Sequence, residues 1–486
     1  MRTNRLAILI ISLSSFATIT AQTSFDAAKL YEEELNGTAR YVGMGGAMSA
    51  LGSDPSVISH NPAGIGTYHN CDLNTSISFF GTSVNTDPLF TSANRGVKDG
   101  VTFYSNNSKS DLNAAFDNFS VVFSGNDGSD SYMNFAFSYR LLQKMDRYMD
   151  YFDKFYVYDG GTAPTDVRYR EYSDHQRNKV KSFDFNLSWN LSDMLYLGWT
   201  VGILSTDTWS EGYFYDFLPS YGKAEQEDRY LLAPNIGNED STSVDKMNTA
   251  TGSGWNMAFG MIIRPVPALR LGVAVKTPTF FRQDFDYVDY LYAYRGEQYA
   301  DANDNVDPMN MSTEYRFTSP WSLNLSAGIT MGKTAFGLEY EKHFTQRSSL
   351  SVGNTRINSQ GSVDYNDYSS LKIGFEQNIS NLSLRAGYNL IEPMFNENAQ
   401  VFLGDTDFNV KRMDFQMDRL GKRQYFTCGL GYCSAPDRDG TQFYVDMAYV
   451  HGVRNSVLNV NEYKEDFDVN YNYKTDKVLF TIGWNF

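Results

Sequence analysis

Apolar and polar side chains alternate with a period of two from Asp72 to the end of this 486-residue chain. Residues 183–190 read FDFNLSWN, which gives one row of Phe, Phe, Leu and Trp and an opposite row of Asp, Asn, Ser and Asn. Successive side chains of a β-strand point to opposite faces, so this period predicts strands with one apolar and one polar face. The pattern recurs in apolar rows that begin at Leu73, Leu195, Trp255, Leu269, Trp321, Phe336, Leu371, Leu382, Phe426, Phe443 and Val478, and less regularly at 119–123 and 133–141.

The two faces of these strands carry different chemistry. The central part of the apolar row holds no charged residue. The polar row holds Arg140, Lys372, Arg385, Glu339, Glu341, Glu376 and Asp446. A Lys or Arg on the lipid face of a membrane barrel costs roughly 2–4 kcal/mol at mid-bilayer, so an uncharged apolar row is what lipid demands. A soluble β-sandwich also alternates, but it turns its polar face to water.

Connection lengths favour the membrane barrel. Short turns are predicted at 191–193, 264–267, 331–333, 380–381 and 435–440, and long connections at 81–115, 143–179, 205–252, 278–319, 344–367, 392–423 and 452–475. Outer-membrane barrels have this asymmetry, and their sheets close because lipid does not tolerate an open edge. We therefore predict an all-β fold, a transmembrane antiparallel β-barrel of about fourteen strands with long extracellular loops, over residues 71–486.

The two ends of the sequence indicate export to an outer membrane. Residues 1–21 have the pattern of a signal peptide, with Arg2 and Arg5, an apolar centre at 6–16 and a cleavage site before Gln22. No later stretch is long and apolar enough to be a transmembrane helix. Phe486 ends the last alternating strand, and this ending resembles the signal read by the barrel-insertion machinery. The net charge of -16 argues against a nucleic-acid partner.

Residues 37–70 differ from the rest, because they are nearly uncharged and punctuated by Gly and Pro: GTARYVGMGGAMSALGSDPSVISHNPAGIGTYHN. We predict that residues 22–70 form a helical and loop hatch, or plug, inside the barrel. A short helix is expected before Gly37, and a second is expected to start at Asp54 with Pro55 in its first turn. Asn61 should end that second helix, since the following Pro62 restricts it to extended conformations.

Three elements of this stretch resemble the N-terminal hatch of the FadL/TodX family of outer-membrane transporters: GMGGA at 43–47, DPS at 54–56 and NPAG at 61–64. Some Bacteroidetes members of that family are labelled hemin receptors. The resemblance implies a fourteen-stranded barrel in a Gram-negative outer membrane. It also implies uptake of hydrophobic small molecules, such as long-chain fatty acids, similar lipids or aromatics, by hatch-gated passive diffusion. Some ligands of that family leave sideways into the membrane through a kinked strand wall. The hatch and gate residues would be Gly43, Gly45, Gly46, Asn61, Pro62 and Ala63.

Each candidate site residue has an alternative structural role. The glycines could serve only to fill a narrow lumen, and the Asn61-Pro62-Ala63 element could serve only to anchor the plug. Arg140, Lys372 and Arg385 are candidate ligand-binding residues that could pair with a ligand carboxylate. They could also pair with the acidic residues of the same inner row, as buried charges in a barrel require.

Two further functions stay open. His60 and His69 flank the Asn-Pro-Ala element and are candidate heme ligands, which would make the protein a heme receptor. A surface-binding or type IX secretion-linked barrel is the other alternative. Residues 301–307, DANDNVD, loosely resemble a calcium loop but lack its Gly and closing Glu, so we expect a solvated acidic loop. With no convincing catalytic or metal-ligand set on one strand face, we expect no enzyme, no bound metal and no cofactor.

Overall fold

A computed structural model describes residues 27–88, 106–109, 112–126, 131–157, 166–217, 241–294, 309–352, 355–356, 365–395, 415–418, 420–462 and 465–486. Within these residues, 20 strand segments belong to a single antiparallel sheet. The first and last segments pair with each other from Asp72 opposite Asn485 to Pro88 opposite Val469, so the sheet closes into a barrel.

Three short helices precede the barrel strands in the chain, and a fourth lies between two later strands. The helices are α1 (Ala39–Gly43) and the 3-10 helices η1 (Pro55–Ser59), η2 (Pro62–Thr67) and η3 (Thr345–Arg347). The strands are β1 (Asp72–Pro88), β2 (Asn106–Lys109), β3 (Asn113–Asn126), β4 (Tyr132–Val157), β5 (Asp166–Leu191), β6 (Leu195–Phe217), β7 (Ser241–Val266), β8 (Leu269–Lys276), β9 (Phe280–Tyr294), β10 (Met309–Thr318), β11 (Ser322–Met331), β12 (Thr334–His343), β13 (Ser349–Val352), β14 (Thr355–Arg356), β15 (Tyr368–Ile379), β16 (Leu382–Ile391), β17 (Phe415–Asp418), β18 (Arg423–Cys433), β19 (Gln442–Glu462) and β20 (Glu465–Asn485).

The ring of the barrel contains fourteen strands. In order around the ring they are β1, β3, β4, β5, β6, β7, β8, β11, β12, β15, β16, β18, β19 and β20. One end of the ring holds tight turns such as the one that joins Leu191 to Leu195, and we call it the short-turn end. The opposite, long-connection end carries the remaining segments. The predicted fold class and strand number are confirmed.

The apolar row of each strand faces outward. In β5, Phe185 is 42% exposed, whereas Asp184 and Asn186 on the opposite face are 1% exposed. Trp199, Leu325, Phe336 and Leu430 are exposed in the same way around the ring. An uninterrupted apolar exterior of this size marks a surface that meets lipid. None of the described helices is long and apolar enough to cross a membrane.

The long connections are shorter than the sequence predicts, because several strands continue well beyond the apolar band. β4 and β5 pair as far as Val157 opposite Asp166, and β19 and β20 pair as far as Glu462 opposite Glu465. The prediction that residues 143–179 and 452–475 form loops is therefore wrong. Alternation stops where the outer face leaves lipid, but ladder hydrogen bonds need no apolar row, so pairing continues.

Two neighbouring strands bend at prolines. Pro278 separates β8 from β9, and Pro320 separates β10 from β11. Proline cannot donate to a sheet ladder, so each interrupts its strand. The wall stays joined there because the Ser319 amide donates to the Thr279 carbonyl oxygen at 3.0 Å and the Thr279 amide donates to the Ser319 hydroxyl oxygen at 2.8 Å.

Leu325→Arg tests the lipid-facing assignment. Leu325 lies outward on β11, between β8 and β12. We expect its replacement to lower the free energy of unfolding in lipid by about 2–4 kcal/mol. Ser253→Arg is the matched control, because Ser253 is exposed on β7 beyond the end of the apolar row, and it should cost about 0–1 kcal/mol. Equal effects measured by denaturant unfolding in bilayers would contradict the assignment.

Candidate functional site

The plug consists of residues 38–68, which lie inside the barrel as α1, η1 and η2. Side-chain caps fix each helical turn: Thr38 accepts from the Tyr41 amide, Asp54 from the Ser56 amide and Asn61 from the Ala63 amide. The predicted helix start at Asp54 is confirmed, although the turn is 3-10, and Asn61 both ends that turn and starts the next. Burial raises the pKa of the Asp54 carboxyl above its usual range, although Thr38 donates a hydrogen bond to it.

Glycines of the barrel wall form the seat of the plug. Gly328, Gly337, Gly374 and Gly387 lie directly opposite one another on β11, β12, β15 and β16. All four face the lumen, where the plug backbone lies against them. A Cβ atom added at Gly337 would lie 1.8 Å from the Ala47 carbonyl oxygen. We call these four residues the glycine belt, because their missing side chains let plug and wall meet backbone to backbone.

Gly43, Gly45 and Gly46, three of the predicted hatch residues, lie at this contact. Gly45 has φ +64, and a Cβ there would lie 2.7 Å from the Tyr388 amide nitrogen, so the position requires glycine on both grounds. Gly43 lies against the wall residue Gly429, while Gly46 faces the ring of Tyr41 within the plug. These contacts show close packing in the lumen, and the gating role of the three glycines stays a prediction.

Asn61, Pro62 and Ala63 occupy a second glycine notch, on the other side of the barrel. Gly198, Gly260 and Gly272 of β6, β7 and β8 provide it, and a Cβ at any of them would lie within 2.8 Å of Asn61, Pro62 or Ala63 atoms. The Asn186 side chain of β5 donates to the Pro62 carbonyl oxygen at 3.3 Å. The element therefore anchors the plug, which was one of its two predicted roles, and its gating role stays a prediction.

A chain of alternating charges joins the plug to the wall. Arg40 of α1 donates to both Glu376 carboxylate oxygens at 3.0 Å. Glu376 also accepts from Arg385 at 2.6 Å, and Arg385 in turn bonds Asp446. Burial alone would lower the pKa of the Arg40 guanidinium, but Glu376 beside it raises that pKa above the usual range. Arg385 thus has two carboxylate partners from the protein itself.

Lys372 and Arg140 are paired as well. The Lys372 ammonium lies 2.6 Å from Glu339 and 3.5 Å from Glu341. Arg140 donates to Asp184 at 2.7 Å. The three predicted ligand-binding cations therefore form the lumen ion pairs that the sequence left as their alternative role. Their contact with a ligand stays a prediction.

His60 lies between the plug and the wall, but its surroundings do not suit heme. Its ring stacks on Tyr41 with centroids 6.0 Å apart, and its nitrogens lie 3.4 Å from Glu341 and 3.7 Å from Glu33. The adjoining cavity is about 60 Å³, far below the roughly 300 Å³ at which small-molecule sites begin. His69 lies elsewhere, 3.0 Å from Asp193 at the short-turn end.

Residues 27–36, which we call the strap, cross the lumen above the plug. Two contacts with β18 show this order. Glu32 of the strap bonds Arg423, and Gly43 of the plug contacts Gly429, which lies six residues nearer the short-turn end. Only residues 27–31 are helical or turn-like. The predicted helix that continues to Gly37 is therefore wrong, since an extended chain lets Glu32 and Glu33 reach opposite walls.

The strap is fixed to the wall by charge. Glu32 accepts from Arg423 at 2.5 Å and also bonds Arg454, while Glu33 pairs with Lys276. Burial alone would raise the pKa of the Glu33 carboxyl, but Lys276 and then His60 lower it to about 2. These pairs hold the strap across the lumen.

Aromatic side chains of the wall surround the start of the strap. Tyr31 stacks on Phe317 with centroids 5.4 Å apart, and Phe317 stacks on Phe281 at 6.1 Å. Ala27 and Leu30 complete this apolar cluster together with Phe285, Tyr315 and Leu350. The inside of a membrane barrel is usually polar. An apolar, aromatic lining in the lumen therefore provides a surface on which a hydrophobic molecule can bind.

The plug separates cavities of different size. On its short-turn side lies an open cavity of about 750 Å³, lined by polar residues that include Arg40, Asp54 and Asn381. On its other side, the described residues enclose two small cavities, one of about 60 Å³ next to His60 and one of about 20 Å³ between Glu34 and Arg423. Within the described residues, the strap and plug therefore close the lumen.

The glycine belt and the ion pairs between strap and wall were not predicted from the sequence. One signal was present: the inward row of several strands carries a glycine at a similar distance from the short turn. The signal peptide at 1–21 and the acidic loop at 301–307 lie outside the described residues.

Solved structures share this architecture. A Pseudomonas aeruginosa FadL homologue matches 93% of this chain and 99% of its own length, with a TM-score of 0.57 and 14% identity. The P. putida toluene transporter TodX matches the same shares with a TM-score of 0.50 and 13% identity. No family model and no curated protein sequence matches the chain. The likeness shows that the chain has the fold of the FadL-type barrels, as the sequence resemblance implied.

Gly337→Ala tests the seat of the plug. The new methyl group would collide with the Ala47 carbonyl oxygen, so the plug must shift at a cost of about 1–3 kcal/mol. We expect lower thermal stability and greater leak of ions in planar bilayers. Gly81→Ala is the control, because a Cβ there meets nothing within 4 Å. Indistinguishable leak in the two variants would mean that the belt does not seat the plug.

Lys372→Met tests whether that cation serves pairing. The single variant leaves Glu339 without its buried partner, which should cost about 3–5 kcal/mol of unfolding free energy. Adding Glu339→Gln should recover part of that loss, since it removes the uncompensated charge at Glu339, while Glu341 keeps His60 and His343 within 3.7 Å. Denaturant unfolding of the two single variants, Lys372→Met and Glu339→Gln, and of the double variant checks this. A double variant that is less stable by the sum of both single effects would show that the residues act independently.

Proposed function

We propose that the protein is an outer-membrane channel that takes up hydrophobic small molecules, such as long-chain fatty acids, similar lipids or aromatics, by passive diffusion gated by the plug. The observation that carries this proposal is the closed lumen. A barrel with an apolar exterior encloses a plug that is part of the same chain and is seated on the glycine belt. Passage then requires that the strap and plug rearrange.

Two observations support hydrophobic cargo. The lumen contains the aromatic cluster around Phe281 and Phe317, which the strap covers with Leu30 and Tyr31. A molecule that displaced this part of the strap would exchange one apolar contact for another, so the displacement is energetically plausible without new polar partners. The fold is also shared with a toluene transporter and a FadL homologue.

The gate we propose has two layers. The strap is the upper layer, because its charged residues hold it across the lumen and it lies nearer the long-connection end. The plug is the lower layer, with Gly43, Gly45 and Gly46 on one wall and Asn61, Pro62 and Ala63 on the other. The cavity of about 60 Å³ between the layers is too small for such a cargo, so both layers move during passage.

A reversible cross-link between plug and wall tests this gate. The Ala39 amide nitrogen lies 2.7 Å from the Thr481 hydroxyl oxygen, which brings the two side chains near the distance a disulfide spans. In a background with Cys71, Cys428 and Cys433 replaced by Ser, we expect the oxidised Ala39→Cys/Thr481→Cys variant to block uptake. Reduction should restore it. Uptake of a labelled long-chain fatty acid and of a monoaromatic hydrocarbon by cells is the measurement.

The single Ala39→Cys variant, treated with the same oxidant, controls for oxidation itself. Full uptake of both probes by the cross-linked protein would contradict plug gating. Deletion of residues 40–66 is the complementary test, and unchanged uptake after deletion would have the same meaning. If uptake is unchanged after deletion and a secreted protein co-purifies with the wild-type barrel, the secretion-linked alternative is favoured.

A further inference from the structure

A cluster of basic side chains lies on the outer face of β4 and β5, where the apolar band ends. In β5 the inward residues Ser182, Val180 and Asn178 are buried. The residues between them, Lys181 and Lys179, therefore face outward. The outward row of β5 runs from the short turn through Leu191, Trp189, Leu187, Phe185 and Phe183 to Lys181, Lys179 and Arg177.

The position of the cluster matches a membrane boundary. The apolar row of β5 extends over residues 183–191, and about 9–11 residues of a tilted strand cross the hydrocarbon core. Lys181 and Lys179 therefore lie just beyond the hydrocarbon, at the long-connection end. Long basic side chains at this depth extend their charges into the headgroup region.

The cluster carries more positive than negative charge. Lys144 of β4 lies directly opposite Lys179, and like charges in directly opposite positions repel each other. Arg177 lies 3.9 Å from Asp146, which also accepts from His175. Asp207 of β6 lies opposite Lys179. Among the described residues Lys179 and Lys181 form no ion pair within 4 Å, on a chain whose net charge is -16.

Two basic residues at the corresponding position on β9 and β10 are bonded to a carboxylate. Arg282 of β9 follows the outward Phe280 as Lys181 follows Phe183, and Arg316 lies opposite it on β10. Both bond the carboxylate of Glu314, Arg316 at 3.1 Å. Lys179 and Lys181 differ from this arginine pair, because no described carboxylate lies within 4 Å of either lysine.

We propose that Lys179 and Lys181, with Arg177 beside them, bind the phosphate groups of the anionic glycolipid in the cell-surface leaflet. The Lys144 ammonium, which donates to the Ala114 carbonyl oxygen at 2.6 Å, adds positive charge next to them. The acyl chains of that lipid would lie against the apolar row below, on Phe183 and its neighbours. Lipid phosphates supply the negative charge that the cluster lacks, at the depth where it lies. This inference rests on the proposed function only in placing the barrel in an outer membrane.

Lipid binding to the purified full-length protein in a neutral detergent tests the site. The probes are diphosphorylated lipid A and the same lipid after removal of both phosphates. The variant is Lys179→Gln/Lys181→Gln, which keeps side-chain length and removes two charges. We expect its affinity for diphosphorylated lipid A to fall by about tenfold or more, with weak binding of the dephosphorylated lipid by wild type.

Arg282→Gln/Arg316→Gln is the matched control, and its affinity should stay within about twofold of wild type, because both arginines already bond the Glu314 carboxylate. Heat-modifiable gel mobility shows that each variant retains the folded barrel. Unchanged affinity of the lysine variant, equal loss in the arginine control, or equal binding of dephosphorylated lipid would overturn the proposal. Competition by millimolar inorganic phosphate as effective as that by the lipid would also overturn it, since the site would then bind free phosphate.

The plug cross-link distinguishes this inference from the proposed function. Binding of lipid A takes place on the outer face, so the oxidised Ala39→Cys/Thr481→Cys protein should bind it as wild type does. Uptake of hydrophobic probes by the lysine variant should likewise be unchanged. Loss of uptake with intact lipid binding would concern the gate alone, and loss of lipid binding with intact uptake would concern the basic cluster alone.

Discussion

The backbone-to-backbone contact between the plug and the glycine belt is the interaction on which the rest of the structure depends. A fourteen-stranded ring leaves a lumen too wide for its own side chains to fill, and here the plug fills it. Any side chain at Gly337 or Gly374 would hold the plug away from the wall, as the 1.8 Å and 2.5 Å approaches to the Ala47 and Met44 carbonyl oxygens show. The inner polar rows can be buried only because this contact excludes water.

Burial of the lumen in turn explains the ion pairs. Charges removed from water need partners, and the inner rows supply them: Arg140 with Asp184, Lys372 with Glu339, and Arg40 and Arg385 with Glu376. Several of these pairs join elements that are far apart in sequence. They fix the positions of the plug and the strap relative to the wall. The apolar contacts between strap and wall have no directional requirement, so contacts with a hydrophobic cargo can replace them. The proposed gate depends on that division.

The outward rows were predictable because they are local: Phe183, Phe185 and Leu187 alternate along one strand, and lipid tolerates no charge among them. The caps at Asp54 and Asn61 were predictable for the same reason. The glycine belt was not, because it depends on the register between strands that are distant in sequence. The extension of β4 and β5 beyond the bilayer was not predicted, because their hydrogen-bonded pairing continues past the residues that alternate between apolar and polar. The prediction of a helix up to Gly37 was wrong because Glu32 and Glu33 form ion pairs with the wall, and local helix propensity does not include such distant partners.

Hydrogen exchange of the plug amides, measured in the presence and absence of a hydrophobic probe, tests the central claim most directly. The Ala39 amide is bonded to the wall at Thr481, so its exchange reports on release of the plug. A plug that opens for cargo predicts faster exchange over residues 39–67 when the probe is saturating, with the barrel strands β5 and β6 unchanged. Unchanged plug protection in a preparation that still transports the probe would contradict gating by the plug.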